Sequence, residues 1–261
     1  MPKLARINVF PIKSLDPLPL ERAVLLPSGA LEHDRRYALR DAAGELLTAK
    51  RTLAAQRLRS AFDPDLGRLT LCREGTDESR TFDVVTQRGE LSQYLNEYFE
   101  LPLELVENPT AGFPDDTESP GPTLISTATL AEVASWFPGV TTAEARRRFR
   151  ANLEIDAIEP FWEDRLVAEA PRVVRFRIGE AELLGTNPCQ RCPVPGRDSF
   201  TSVPTHGFAK TFAQHRKASL PPWAPAGRFD HFYRLAVNTR PANGLTTTLA
   251  VGDDVTIIGI E

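Results

Sequence analysis

Only three cysteines occur in this chain, and two of them fall in Asn187-Pro188-Cys189-Gln190-Arg191-Cys192-Pro193-Val194-Pro195. A thiolate is the softest ligand a protein offers, and it is the form that binds metal or attacks. A Cys-x-x-Cys pair therefore suits metal binding, thiol redox chemistry or a disulfide, and each makes a demand on the rest of the chain. Structural zinc needs four ligands, commonly as two pairs. Here only Cys72 and four histidines remain; His206 could be recruited, but no second pair exists. A thioredoxin-like pair sits at a helix N-terminus, which lowers the thiol pKa. Pro193 and Pro195 argue against a helix starting there. A disulfide suits a secreted chain, and the opening Met1-Pro2-Lys3-Leu4-Ala5-Arg6 shows no export signal. Two cysteines that merely pack are the plain alternative.

Two other groups invite chemistry. Lys13 lies beside Ser14 just after an expected strand and could hold an anion, although a lone lysine is ordinarily solvated. Arg150 follows the run Arg146-Arg147-Arg148, which by default reads as a solvated basic face. Arg150 differs because Phe149-Arg150-Ala151-Asn152 stands where a helix should give way to a strand. There a guanidinium would present a planar fork of donors that lysine cannot copy.

The elements that must position these groups are short. Residues 4–10 alternate apolar and polar, as a half-buried strand does. Residues 23–26 are a second strand. Residues 37–39 and 46–49, about the turn Asp41-Ala42-Ala43-Gly44, form an expected hairpin. Residues 58–62 and 68–72 continue the pattern, with Cys72 expected as a buried core thiol. Residues 87–99 form a helix with Leu91, Tyr94, Leu95 and Phe99 on one face, and residues 101–106 a strand. The Pro-, Asp-, Thr-, Ser- and Gly-rich stretch 108–121 is the expected hinge between two halves. The second half opens with residues 123–126 as a strand. Thr127 caps a helix whose stripe is Leu130, Val133, Ala134 and Phe137, and residues 141–149 make a second, basic helix. Trp162 and Asp164 fall in a turn. Residues 173–176 and 181–184 form a hairpin about Gly179, which the prolines from Pro188 onward bring to a stop. A short helix over 208–215, a proline-rich loop over 219–228, and strands over 231–237 and 254–258 complete the reading.

Composition narrows the class. At 41% hydrophobic and 25% charged, the chain is that of an ordinary soluble globular protein. Its apolar runs fall far short of a membrane span. A net charge of −4 gives no nucleic-acid footprint. Few cysteines without an export signal fit a reducing cytoplasm. The 22 prolines among few helical patterns favour short strands and turns, so the fold class is mainly β with a few helices.

Six pieces in order carry a resemblance: Pro11-Ile12-Lys13-Ser14, Asp34-Arg35, Leu47-Thr48-Ala49, Leu124-Ile125-Ser126, Phe149-Arg150-Ala151-Asn152 and Cys189-Gln190-Arg191-Cys192. Together they resemble the MOSC-domain family, named for the C-terminal domain of molybdenum cofactor sulfurase. Within that family the chain resembles the amidoxime-reducing components of mitochondria and their bacterial counterparts. The resemblance implies an N-terminal β-barrel domain over 1–115 and a MOSC β-barrel domain over 116–261. It implies a molybdenum–molybdopterin cofactor with Cys192 as the metal ligand, in keeping with a thiolate's affinity for soft, redox-active metals. It places Lys13, Ser14, Arg35, Thr117, Arg150 and Asn152 around that anionic cofactor, and Asp116 on the substrate side as a catalytic group. Arg150-Ala151-Asn152 departs from the family's common Arg-Pro-Asn, which alters loop stiffness and not ligand chemistry.

The activity implied is an oxidoreductase that reduces N-hydroxylated compounds: amidoximes, hydroxylamines or N-hydroxylated purines. Some bacterial relatives carry an iron–sulfur ferredoxin domain, and no cysteines are left here for one. Electrons are therefore expected from a separate protein, a flavoprotein, a cytochrome b5-like protein or a ferredoxin. The other class of function is a carrier or insertion protein for the cofactor or its sulfur, with no turnover of its own.

Overall fold

The computed structural model describes residues 1–261. Fifteen strands and five helices follow one another. The first half runs β1 (Leu4–Val9), β2 (Leu18–Leu20), β3 (Arg22–Leu25), β4 (Tyr37–Asp41), α1 (Ala54–Arg57), β5 (Leu58–Phe62), β6 (Arg68–Arg73), β7 (Ser79–Asp83), α2 (Arg88–Phe99) and β8 (Leu103–Glu107). The second runs β9 (Leu124–Ser126), α3 (Thr127–Ser135), α4 (Thr142–Phe149), β10 (Leu153–Ile155), β11 (Val174–Ile178), β12 (Ala181–Gln190), α5 (Phe208–Ala218), β13 (Arg234–Pro241), β14 (Thr247–Ala250) and β15 (Val255–Ile260). The mainly β class expected from the sequence holds.

An eight-stranded sheet in the order β15-β11-β12-β13-β9-β10-β1-β2 dominates, and β3 pairs with β14. Smaller sheets, β4-β8 and β5-β6-β7, complete the first half. The packing does not follow a cut between residues 115 and 116. Leu4, Ile7, Val9, Ala23 and Leu25 share one core with Leu124, Leu153, Leu249 and Val255. A second core gathers Ile12, Leu15, Leu58, Leu69, Leu91 and Leu105, and it takes Val194 from the far half. Helices α3, α4 and α5 bury a third core, rich in phenylalanine, with the Phe137 and Phe208 rings stacked at 4.2 Å. The first strand thus hydrogen-bonds into the second half's sheet, antiparallel to β10. The stretch right after β1 seeds the other core. Residues 10–15 are therefore held between the two halves.

Several expectations change. The stretch 46–49 is not a strand: Leu46 makes only a bridge to Arg40, and β4 pairs with β8 instead. The period-two alternation of β6 points Leu69 and Leu71 inward and leaves Cys72 half-exposed, so that thiol is not a core residue. Ser126, not Thr127, caps α3, its hydroxyl accepting from Thr129 N at 3.0 Å. The strand expected to stop before Pro188 runs through it to Gln190, opposite β13. The register slips on both sides of Pro188, and such a bulge tolerates a residue without an N–H. The Pro188 carbonyl is met by the Arg234 side chain at 3.0 Å. Gly185 is required on that strand, because a Cβ there would lie 1.7 Å from the Leu166 carbonyl oxygen. Strands β2, β7 and β14 are too short or too polar to stand out in the sequence.

The arginine run is not a solvated face. Arg148 is buried and pairs with Glu144 at 2.6 Å, and Arg146 pairs with the buried Glu154 at 2.5 Å. Arg147 lies 4.3 Å over the Phe200 ring and donates to Ser199 Oγ at 2.9 Å. The stems of all three pack while their heads find fixed acceptors.

A buried acid pair lies beneath the helical layer. Asp164 pairs with Arg216, both almost without solvent exposure. The neighbouring Glu163 accepts from Thr129 Oγ1 at 2.9 Å and Ser126 N at 3.3 Å through Oε2, while Oε1 has no partner. Burial, aided by the charge of Asp164 and opposed by Arg216, pushes the Glu163 pKa from 4.5 up to about 7. The folded chain therefore binds this proton more tightly than the unfolded chain. The stability it contributes is complete below pH 4.5 and is lost as pH rises through about 7. Glu163→Gln should flatten that part of the profile. Thermal melts at pH 5 and pH 8 should show the wild type losing several degrees more than the variant, since each 1 kcal/mol shifts the melting temperature by about 2–4 °C in a domain of this size. Parallel profiles would mean that Glu163 keeps an ordinary pKa.

Candidate functional site

A cleft of about 730 Å³ opens between the two halves. Its walls take Lys13, Ser14 and Arg35 from the first half, Arg150, Asn152, Cys189 and Cys192 from the second, and Asp115, Asp116 and Thr117 from the connecting loop. Every site residue expected from the sequence lines this one cleft.

The first wall is built where β1 ends. Past Phe10 the chain pairs with the start of β4, with Lys13 N donating to Tyr37 O at 2.8 Å. That pairing carries the Lys13 side chain inward until it is buried. Its Nζ donates to Phe113 O at 2.9 Å and to Asp115 Oδ1 at 2.7 Å. Burial lowers the Lys13 pKa, and Asp115 works the other way. Burial would raise the Asp115 pKa, but the charges of Lys13 and Arg35 outweigh it and hold that carboxyl at about 2. Ser14, at φ +74°, turns its hydroxyl to accept from Ala49 N at 3.2 Å.

Arg35 sits on a tight left-handed turn, φ +50°. Its N–H donates to Phe10 O at 2.8 Å, and its carbonyl accepts from Phe113 N at 2.9 Å. Only glycine fits against this turn at 112, where a Cβ would come within 2.4 Å of Asp34 O. The Arg35 guanidinium pairs with the Asp34 carboxylate. Asp34 Oδ1 in turn accepts from Phe10 N at 2.8 Å and Asn152 Nδ2 at 3.0 Å. Asn152 is 1% exposed. Its amide also donates to Asn8 O at 3.1 Å and accepts from Thr123 N at 3.2 Å. The hydrogen bonds of this side chain are structural: Asn152 fixes Asp34, and Asp34 fixes Arg35.

Arg150 ends α4 in the left-handed conformation, φ +52°, with its N–H on Arg146 O at 3.0 Å. That is the turn from helix into β10. Its guanidinium donates to Leu15 O at 2.7 Å and lies 4.2 Å over the Phe10 ring, and it forms no ion pair. Burial, then the neighbouring charge of Arg35, depresses its pKa to about 10.

All three cysteines are free thiols. No cluster of three or more His, Cys, Asp or Glu side chains forms, so the pair does not gather a structural zinc site. Cys189 Sγ accepts from Arg191 Nη1 at 3.2 Å, and Arg191 is anchored on Phe149 O at 2.6 Å. Cys192 packs against the second core, and its carbonyl accepts from Tyr233 Oη at 3.2 Å. Its sulfur makes no hydrogen bond.

Asp116, expected on the substrate side, lines the cleft with its carboxylate hydrogen-bonded within the fold. Oδ1 accepts from Glu118 N at 3.0 Å and Ser119 N at 3.1 Å, and Oδ2 accepts from Asn238 Nδ2 at 2.9 Å. It holds the loop in an Asx turn. Its neighbour Asp115 is the acid that meets the cleft's cations, and sequence reasoning missed it. Thr117 is exposed on the rim. Arg191, Lys50 and Arg234 were also missed, although Arg191 lies inside the cysteine motif itself. Lysines and arginines outnumber the two aspartates on these walls.

Fold and cleft together define a mainly β protein whose halves enclose a cationic, thiol-bearing cleft. Family models match along the chain: the MOSC N-terminal beta barrel domain over residues 1–99 and the MOSC domain over residues 123–256. The chain belongs to the MOSC-domain family. Such domains are similar to the C-terminal part of molybdenum cofactor sulfurase and bind the molybdenum cofactor. No curated protein matches the chain. A solved structure described as "Crystal structure of an hypothetical protein" is similar over 98% of this chain and 67% of its own, at 10% identity and a TM-score of 0.37. No helix is long and apolar enough to cross a membrane.

Proposed function

We propose that this protein is a molybdenum-cofactor-dependent oxidoreductase that reduces N-hydroxylated compounds such as amidoximes, hydroxylamines and N-hydroxylated purines. The observation that supports it most is the unmatched charge of the cleft. Arg150 is half-buried with no acidic partner, beside Arg35 and the buried Lys13, each of which is already paired with an aspartate, and a thiol with no hydrogen bond stands in the same wall. A half-buried guanidinium without an acid partner favours a bound anion. The residues fit an anionic pterin carrying a dithiolene and a phosphate. Lys13, Ser14, Arg35, Thr117 and Arg150 would hold its polar groups, and Cys192 would ligate the metal. Asn152 and Asp116 would act at one remove, the first through Asp34 on Arg35, the second by fixing the 115–119 loop.

When bound, the cofactor supplies the redox chemistry. The chain binds it, orients it and limits the water around it. Converting an N–OH group to N–H takes two electrons and two protons and releases water. The electrons would come from a separate flavoprotein, cytochrome b5-like protein or ferredoxin. Asp115, held at about 2, stays ionised at neutral pH, so it balances charge at Lys13 and is not a proton source.

Protein produced in a host that makes molybdopterin should carry about one molybdenum per chain, the stoichiometry of a single thiolate site. It should convert benzamidoxime to benzamidine with reduced methyl viologen as donor. Metal without turnover of any N-hydroxylated compound would make it a cofactor carrier. Absence of metal would end the reading.

A further inference from the structure

Behind Arg150 lies a second cavity, of about 180 Å³. It shares Ser14, Ala49, Arg150 and Val194 with the cleft, so the Arg150 side chain stands between the two. A dry void of about 150 Å³ holds one benzene ring, which makes this annex the size of a single substituted ring. Phe10, Pro17, Pro19, Ala55 and Val194 form its apolar wall.

Its charge is lopsided. Five arginines (6, 59, 146, 147 and 150) line it against one carboxylate, Asp16. Arg146 is matched by Glu154 and Arg147 by Glu144. Arg59 is ion-paired with Asp16 and Glu74 at 3.4 Å each and donates to Gln56 O, and only its Nε is buried with no hydrogen-bond partner; Arg6 is exposed. Arg150 has no acid partner. An apolar wall beside Arg150, which has no acid partner, and Arg59, whose Nε is unpaired, asks for a ligand with one flat ring and one anionic group. A bare anion would leave the wall uncovered, and a nucleotide is too large for the space.

We propose that the annex is a binding site for a small aromatic monocarboxylate, its ring on Phe10, Pro17 and Pro19 and its carboxylate shared by Arg59 and Arg150. A carboxylate is favoured over other anions because its planar pair of oxygens matches the guanidinium fork.

The test is calorimetric titration of the cofactor-loaded protein with benzoate, benzamide, acetate and inorganic phosphate. Benzoate should bind with a Kd of about 1 mM or tighter, and the other three at least about tenfold more weakly. Ala55→Leu, which fills the annex, and Arg59→Gln, which removes an anchor, should each weaken benzoate at least about tenfold without lowering molybdenum content. Acetate or phosphate binding as tightly as benzoate would reduce the site to a general anion site and overturn the proposal. So would benzamide binding equally, benzoate binding unchanged in Ala55→Leu, or no binding at all. The ligand series on the wild type decides the matter even if a variant fails to fold.

Discussion

Cys192→Ser should leave the protein without molybdenum, while Cys189→Ser should keep most of it. Both thiols line the cleft, but they stand differently. Cys189 Sγ already accepts from Arg191 at 3.2 Å, whereas the Cys192 sulfur makes no hydrogen bond and its backbone is fixed by Tyr233. A serine hydroxyl is a hard ligand and gives up its proton to a metal far less readily than a thiol, so it offers a soft metal little. Neither cysteine is fully buried, and substitutions at such sites cost little stability. Loss of metal would therefore not be loss of fold. Both variants, made in a host that supplies the cofactor, should be assayed for molybdenum and pterin by mass spectrometry and for melting temperature. Full metal in Cys192→Ser, or loss in Cys189→Ser alone, would reassign the ligand.

What could be read from the sequence is what is local. β1 and β6 announce themselves by alternation, and α4 by Thr141 ahead of Glu144, whose backbone N–H the Thr141 hydroxyl accepts at 3.1 Å. The bulge that carries β12 through Pro188 is not local. Proline ordinarily ends a strand, and only the pairing with β13 some fifty residues on makes room for it. The fate of Arg148 was half visible, since Glu144 stands four residues before it, the spacing of a helical ion pair. The partner of Arg146, Glu154, becomes one only when β10 folds back beside α4.

The site divides in the same way. The six short pieces that carry the resemblance name the residues that line the cleft, but not what each side chain does there. Asn152 and Asp116 have the right address and a structural task. Their partners, Asp34, Asn8 and Asn238, lie 118, 144 and 122 residues away in the chain. The feature that brings Lys13 to Arg150 is the pairing of β1 with β10, a contact across most of the chain with no sequence signature of its own.

Arg150→Lys should weaken retention of the cofactor by about tenfold or more, and Arg177→Lys should leave it unchanged. Arg147, which the sequence offers as the solvated comparison, is unsuitable because it is engaged with Phe200, Ser199 and Glu144. Arg177 is exposed on β11 and far better suited. At 150 the guanidinium makes two contacts at once: it donates to Leu15 O and stands 4.2 Å over the Phe10 ring. No carboxylate meets the remaining donors of the fork. A lysine ammonium can take the carbonyl or reach into the cleft, and it has no flat face for the ring. The left-handed backbone at 150 is no harder for lysine than for arginine, so the change acts through the head group alone. Even with its pKa depressed to about 10, Arg150 keeps its charge at neutral pH. One charge-assisted hydrogen bond contributes roughly 1.5–3 kcal/mol, and ~1.4 kcal/mol is one decade of affinity. The measurement is pterin and molybdenum content after equal dialysis of wild type, Arg150→Lys and Arg177→Lys. Equal retention in all three would make Arg150 a structural clamp between Leu15 and Phe10 and move the anion's anchor to Lys13 and Arg35.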